Sequence, residues 1–458
     1  MGEQMPLLCC AAVPSESLVP LPEMVERVDR VLAQSPADST EISWLEARRG
    51  QESNGKRRRD TFEYLGRTIL IRVRERGRTG LHRTSACEPS DLEAGIRAAL
   101  AQARMTPSGP APAAPEVSRD SAPGLYDPEL ARMSPGRARE VVGRLAQKGE
   151  QARLGWAEGW MLVRSSTGLS RTAKVTSGWI EVTCGRGPGA GRAAATARTW
   201  DALSPQAVFS RARSRHAALE VVPPPEGTFP VVLAAEAAAQ LLALLNRHAL
   251  ASASFHEQTS PLAGRLGEQI LSPKVTLRDD GTAPGGLPFP FDAFGAATRP
   301  IDLVSLGVFR TPAVDDKLAR AIGLAVTPHL VAPDEGLATH LCLLPTLKSH
   351  EEILAAGEGG LWFCGLEPVE CFDPRRLSFR ATARGVRRIA EGKLGRAVPD
   401  LVWEGGLLEL FNRVLDVGSE PASVAMGGGL LGAITSPALV VEGVSDLQLA
   451  KDQTASPR

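Results

Sequence analysis

The sequence predicts an α+β protein in three parts: a small N-terminal α/β domain, a central domain and a large mixed-sheet C-terminal domain. Three observations carry this expectation. Helical and strand periodicities intermingle without the regular βαβ rhythm of a doubly wound parallel sheet. Two proline-rich runs, 106–115 and 222–227, interrupt the chain and forbid regular structure where they fall. The length, 458 residues, suits two to four domains. The boundaries read as a tail over 1–15 and domains over 16–106, 116–222 and 228–450.

In the first block, Met24, Val25, Val28, Val31 and Leu32 recur at three and four and predict an amphipathic helix. Strands are expected over 41–47 and 68–73, where Ile69, Ile71 and Val73 alternate. Asp91 is expected to cap a helix carrying Leu92, Ile96, Ala99 and Leu100. The central block reads as a helix over 134–151, strands over 160–165, 173–184 and 193–200, and a helix started by Ser204-Pro205. The C-terminal block predicts a long Ala/Leu helix over 234–250, several strands and a late helix over 404–417. It is punctuated by glycine pairs and by Gly427-Gly428-Gly429. No repeat of 20–50 residues is present, which disfavours solenoids and propellers.

Composition excludes several functions. Apolar residues are 43% and charged residues 23%, the balance of a globular protein. Lys plus Arg and Asp plus Glu are both 52, so the net charge is zero and no global grip on nucleic acid or anionic membrane is encoded. Seven cysteines in so long a chain fit a reducing, cytoplasmic interior better than a disulfide framework. The apolar run Met5 to Val13 lacks the basic residues that precede a signal sequence. The stretch 229–245, broken by Glu236 and Gln240, falls short of the ~20 residues of a membrane span.

Chemistry is sparse. The glycine-rich run 184–192 lies between two strand-like segments and reads as a hairpin connection, since a dinucleotide loop needs a helix after it. Lys56-Arg57-Arg58-Arg59 lacks interleaved aromatics and reads as a solvated turn. Cys342, Cys364 and Cys371 lack the paired spacing of zinc thiolates, and Cys364 and Cys371 read as strand core. His256-Glu257 is followed at four and five residues by Ser260 and Pro261, so no second histidine shares its helical face. Asp279, Asp280 and Asp292 could bind a metal or share a proton. The competing reading of Asp279-Asp280-Gly281-Thr282 is a turn between strands.

One resemblance covers nearly the whole chain, from about residue 16 to 450. The run Val275-Thr276-Leu277-Arg278-Asp279-Asp280-Gly281-Thr282, then Phe291-Asp292-Ala293-Phe294-Gly295, then Leu306-Gly307-Val308 resembles the TldD/PmbA family of metallopeptidases. The segment Phe229-Pro230-Val231-Val232-Leu233 is similar to the strand that leads into that family's active-site helix. The family's catalytic subunits carry His-Glu-x-x-x-His and a later Cys as zinc site; its TldE/PmbA type lacks them. The resemblance places the first motif on Ala243-Leu244-Leu245-Asn246-Arg247-His248 and the thiolate segment on Met426-Gly427-Gly428-Gly429-Leu430-Leu431. Ala243 and Leu244 then stand for the first histidine and the base, and Leu431 for the cysteine. The resemblance therefore implies a non-catalytic subunit with no cofactor of its own. It would be partnered by a TldD-like zinc-bearing subunit in a complex that degrades unfolded peptides or trims modified precursor peptides. The alternatives are a self-sufficient hydrolase built on the three aspartates, and a non-proteolytic peptide-binding scaffold.

Overall fold

The alternation at Ile69, Ile71 and Val73 belongs to much longer strands than the sequence marks out. The computed structural model describes residues 11–12, 17–55, 61–108, 124–217, 220–332, 335–426, 430–445 and 447–450. The basic run at 56–59, the glycine triplet at 427–429, most of the first proline-rich run and most of the tail over 1–15 lie outside the described residues.

The first block comprises β1 (Ala11–Ala12), α1 (Leu21–Leu32), β2 (Ser39–Ser53), β3 (Phe62–Glu75), β4 (Arg78–Thr84) and α2 (Pro89–Met105). Asp91 is not the N-cap of α2. Glu88 holds that position, and Asp91, three residues in, accepts from the Glu88 N–H to close a capping box. The central block adds α3 (Pro128–Ala131), α4 (Pro135–Leu145), β5 (Gln151–Ser165), β6 (Ser170–Cys184), β7 (Gly191–Ala197), α5 (Trp200–Leu203) and α6 (Pro205–Arg215). The helix expected over 134–151 thus stops at Leu145, and Gln151 opens a strand. Likewise the strand expected to reach Trp200 ends at Ala197, and Trp200 starts a short helix capped by Thr199.

These two blocks share one antiparallel sheet. β2 pairs with β5 from Glu41↔Ser165 to Ser53↔Arg153, giving a seven-stranded order β1-β3-β2-β5-β6-β7 with β4 also on β3. The period of two sends alternate side chains to opposite faces. Ile42, Trp44, Ile69 and Ile71 pack under α1 and α2, while Leu45, Ala47 and Leu70 face the C-terminal block. At Gly80 a side chain has no room: a Cβ there would sit 1.9 Å from the Ala99 carbonyl of α2.

The C-terminal block continues with β8 (Phe229–Leu233), α7 (Ala235–Leu245), α8 (Ser252–His256), β9 (Leu277–Asp279), β10 (Ile301–Ser305), β11 (Val308–Phe309), α9 (Asp316–Ile322), β12 (Leu330–Ala332), β13 (Glu335–Gly336) and β14 (His340–Leu343). Then come α10 (His350–Ala356), β15 (Leu361–Phe363), β16 (Gly365–Asp373), β17 (Ser378–Arg384), β18 (Arg387–Ala390), β19 (Lys393–Ala397) and β20 (Leu401–Gly406). The last elements are α11 (Leu407–Asn412), β21 (Val414–Ala425), β22 (Ala433–Val444) and β23 (Gln448–Leu449). A ten-stranded mixed sheet runs β11-β10-β9-β14-β22-β8-β15-β18-β19, with β21 on β22; β14–β22 and β8–β15 are its parallel pairs. A four-stranded sheet, β16-β17-β20-β23, packs beside it. The helix expected over 404–417 is only α11: Glu404 lies within β20 and Val414 and Val417 lie in β21, so apolar spacing there came from two strands flanking one helical turn and a half. Among the described residues no helix is long and apolar enough to cross a membrane.

Candidate functional site

β8 lies between β22 and β15, so its Val231, Val232 and Leu233 are fully buried and deliver the chain into α7 from the middle of the sheet. α7 is alanine-rich at its start and leucine-rich at its end. Ala237, Ala238, Leu241 and Leu242 are 0% exposed and Leu245 is 1% exposed. A helix buried on more than one face is held by packing, not by an amphipathic stripe.

The helix expected to continue to residue 250 changes type at Asn246. Residues Asn246–Leu250 form a π turn, closed by the Ala251 N–H donating to the Asn246 carbonyl at 2.9 Å. Such turns are rare and concentrate at functional sites. The five-residue spacing between Ala243 and His248 ends inside it. Ala243 and Leu244 are half-buried against the core, and His248 is half-buried. Burial pushes the His248 imidazole below its ordinary value; neighbouring Arg247 adds to this and Glu257 opposes it.

Leu431 sits elsewhere in the packing. It is buried with Leu430, Phe289 and Phe291 against Leu45 and Met161 of the seven-stranded sheet. The segment before it nevertheless passes close to the π turn, because the Asn246 amide lies 3.9 Å from the Met426 sulfur and donates to the Ala338 carbonyl at 2.9 Å. The other amide atom, Asn246 Oδ1, is buried without a hydrogen-bond partner.

At the positions that the resemblance marks, the side chains do not fit a zinc ion. A catalytic zinc site takes about three N, O or S ligands from protein and a base nearby. Ala243, Leu244 and Leu431 carry no lone pair, which leaves the single imidazole of His248. Among the described residues no three His, Cys, Asp or Glu side chains come together as a ligand set.

The three motif aspartates are committed to backbone. Asp279, 1% exposed, accepts from the His340 N–H at 2.9 Å and the Thr339 N–H at 3.2 Å, and its carboxylate lies 3.1 Å from His329 Nδ1. Asp280 accepts from the Thr282 N–H and hydroxyl, closing the turn around Gly281, where a Cβ would meet Thr298 at 2.8 Å. Asp292 accepts from the N–H groups of Phe294 and Ala296. These bonds build turns.

Sequence reasoning missed three residues here. Arg198, fully buried, spans the blocks: it donates to the carbonyls of Thr176, Leu287, Pro288 and Leu430, and burial lowers its guanidinium to about 9. His340 is buried with Nδ1 2.8 Å from the Asp280 carbonyl and Nε2 3.1 Å from the Thr435 hydroxyl, and desolvation holds it below its usual value. His329, 1% exposed, completes the group beside Asp279. No local pattern marks any of them.

The remaining candidates settle as structure. The run 184–192 is the connection of the β6–β7 hairpin. Cys342 and Cys364 are buried and Cys371 is half-buried. Burial, then Asp279 and Asp280, push the Cys342 thiol up to about 12, so it is no thiolate. His256 is paired through Nε2 with buried Asp315 at 2.7 Å.

Residues 226–446 match the family described as PmbA/TldA metallopeptidase C-terminal domain. The fold is similar to the crystal structure of TldE from Thermococcus kodakarensis, at TM-score 0.76 and 20% identity over 93% of this chain and 100% of that one. It is similar to a Thermotoga maritima protein solved under a DNA-gyrase-modulator description, at TM-score 0.76 and 22% identity over 92% and 99%. A Methanothermobacter thermautotrophicus protein named metalloprotease is 27% identical over 206 residues, 44% of this chain and 45% of that protein, so the match spans about half of that relative. The C-terminal block, residues 226–446, belongs to the PmbA/TldD family.

Proposed function

We propose that this chain is the TldE/PmbA-type subunit of a cytoplasmic zinc peptidase complex. The chemistry resides in a TldD-like zinc-bearing partner, and the complex degrades unfolded peptides or trims modified precursor peptides. The observation that carries this reading is the retained frame of a site without its donors. α7 and its π turn are intact and packed, while Ala243, Leu244 and Leu431 stand at the expected ligand and base positions. A subunit in this state contributes walls and strand edges to a chamber that accepts extended chains. The self-sufficient hydrolase is not favoured, because Asp279, Asp280 and Asp292 are spent on backbone N–H groups.

Co-expression with a relative that carries His-Glu-x-x-x-His tests the pairing. The expected result is a stable complex on size-exclusion chromatography burying an obligate interface on the order of 2,000 Å² or more. Separate elution of the two chains at micromolar concentration would overturn the reading.

A further inference from the structure

The face of the mixed sheet turned away from α7 carries a hydrogen-bonded chain of three side chains. Leu341 and Ile434 pack into the core that holds α7, so their neighbours along each strand point the other way. His340 and Cys342 of β14 stand opposite Ala433 and Thr435 of β22, and Ser423 of β21 stands opposite Thr435 from the other side. Directly opposed residues share a face, which puts Ser423, Thr435 and Cys342 in one row with His340 beside them.

The hydrogen bonds of this chain run in one direction. His340 Nδ1 lies 2.8 Å from the Asp280 carbonyl, which only accepts, so Nδ1 carries the proton. The neutral ring then offers its lone pair at Nε2, and the Thr435 hydroxyl, 3.1 Å away, donates to it. With its own proton committed, the Thr435 oxygen accepts from the Ser423 hydroxyl at 2.8 Å. Cys342 directs its thiol to the His340 carbonyl at 3.5 Å. Burial is graded along the chain: His340 is 1% exposed, while Thr435 and Ser423 are part-exposed. Desolvation holds the imidazole below its ordinary value and Arg198 adds to this, whereas Asp279 and Asp280 oppose it. The ring is therefore neutral at pH 7 and free to take a proton.

A hydroxyl within reach of an imidazole whose other nitrogen is fixed by a third group is the arrangement of an activated nucleophile. We propose that Thr435 is a nucleophilic hydroxyl that takes an acyl group from an activated ester, with His340 as its general base. The Thr435 O–H bond breaks and its proton passes to His340 Nε2 while Oγ1 bonds to the ester carbonyl carbon. The tetrahedral centre then expels the ester's alkoxide or phenoxide, which takes the proton from Nε2 and leaves as the alcohol or phenol. Ser423 is a positioning residue, because its bond to Oγ1 keeps the Thr435 proton aimed at the ring. The product is an acylated chain and an alcohol, without peptide cleavage, so the site depends neither on zinc nor on the pairing proposed above.

Incubating the full chain with p-nitrophenyl acetate, and reading both nitrophenolate release and peptide masses, tests the site. The expected result is an acetyl group mapped to Thr435, formed at a rate that levels off above the titration of His340. Thr435→Val should remove that adduct, and His340→Gln should slow its formation on the order of a hundredfold, the usual loss of a general base. The pH profile needs no variant, so it keeps the test valid should His340→Gln disturb folding. Acetyl groups on lysines alone, with Thr435 unmodified, overturn the proposal. So does acetylation of Thr435 that climbs with hydroxide without levelling, or that is as fast in folded His340→Gln as in the parent.

Discussion

Replacing Leu241 by alanine tests whether α7 is held by packing. Leu241 is 0% exposed and lies in the largest core cluster, which also contains Leu242, Leu245 and Leu439. The substitution removes buried carbon from water-free surroundings and leaves a void that neighbouring sheet residues cannot fill without moving. The expected cost is about 2–5 kcal/mol, the lost transfer free energy plus the cavity term. That is a large share of the roughly 5–15 kcal/mol that holds a typical domain. Leu244, half-buried one turn along, serves as the control and should lose less on the same change. Urea unfolding followed by far-ultraviolet circular dichroism reads both variants. The midpoint should fall markedly for Leu241→Ala with an unchanged slope, since the slope follows surface exposed on unfolding. A midpoint equal to the parent's, or an equal loss for Leu244→Ala, would show that α7 is not packed as described.

Other predictions follow from the same contacts. Glu236→Ala strips the acid from Arg211 and Arg215 and should cost about 3 kcal/mol in thermal or urea unfolding, because it leaves the mostly buried Arg215 unpaired. A bond from Arg213 holds the Glu150 carboxyl down at about 2. A folded value below the unfolded one, about 4.3, gives stability that is full above that pH and lost as pH falls towards 2; Glu150→Gln should flatten this part of the acid-unfolding curve. Cys184 and Cys342, both buried and pushed up to about 12, should resist a thiol reagent at pH 8 in the native protein and react once denaturant is added. Converting Ala243 to His and Leu244 to Glu should not give a stoichiometric zinc site by mass spectrometry, because Leu431 still lacks the thiolate.

Patterns that depend on near neighbours were legible in the sequence, and those made by tertiary contact were not. The α1 stripe, the strands around Ile42 and Ile71, and the 184–192 hairpin all follow from local period and turn chemistry. The late helix expected over 404–417 was overextended for a tertiary reason. Apolar residues at 414 and 417 keep helical spacing with Leu407 and Leu410, yet the first pair lies in β21, where sheet pairing overrides it. At the α2 start Asp91 was the obvious cap by residue type, but Pro89 fixes the first helical turn earlier and gives the cap to Glu88. The joining of β2 to β5 in one sheet was hidden because its partners lie a hundred residues or more apart. At the candidate site, the motif positions rest on the resemblance alone. The π turn, the bridging by Arg198 and the Asp279–His329 contact were not legible, since each arises from burial among distant segments.

The proposed subunit serves a zinc peptidase without holding the zinc. Peptide cleavage by the purified complex, measured beside each chain alone, tests it most directly. The expected result is no cleavage by this chain, cleavage by the mixture, and loss of that cleavage when His-Glu-x-x-x-His in the relative is disabled. Cleavage by this chain alone, or a relative that works as fast without it as with it, would refute the partner role.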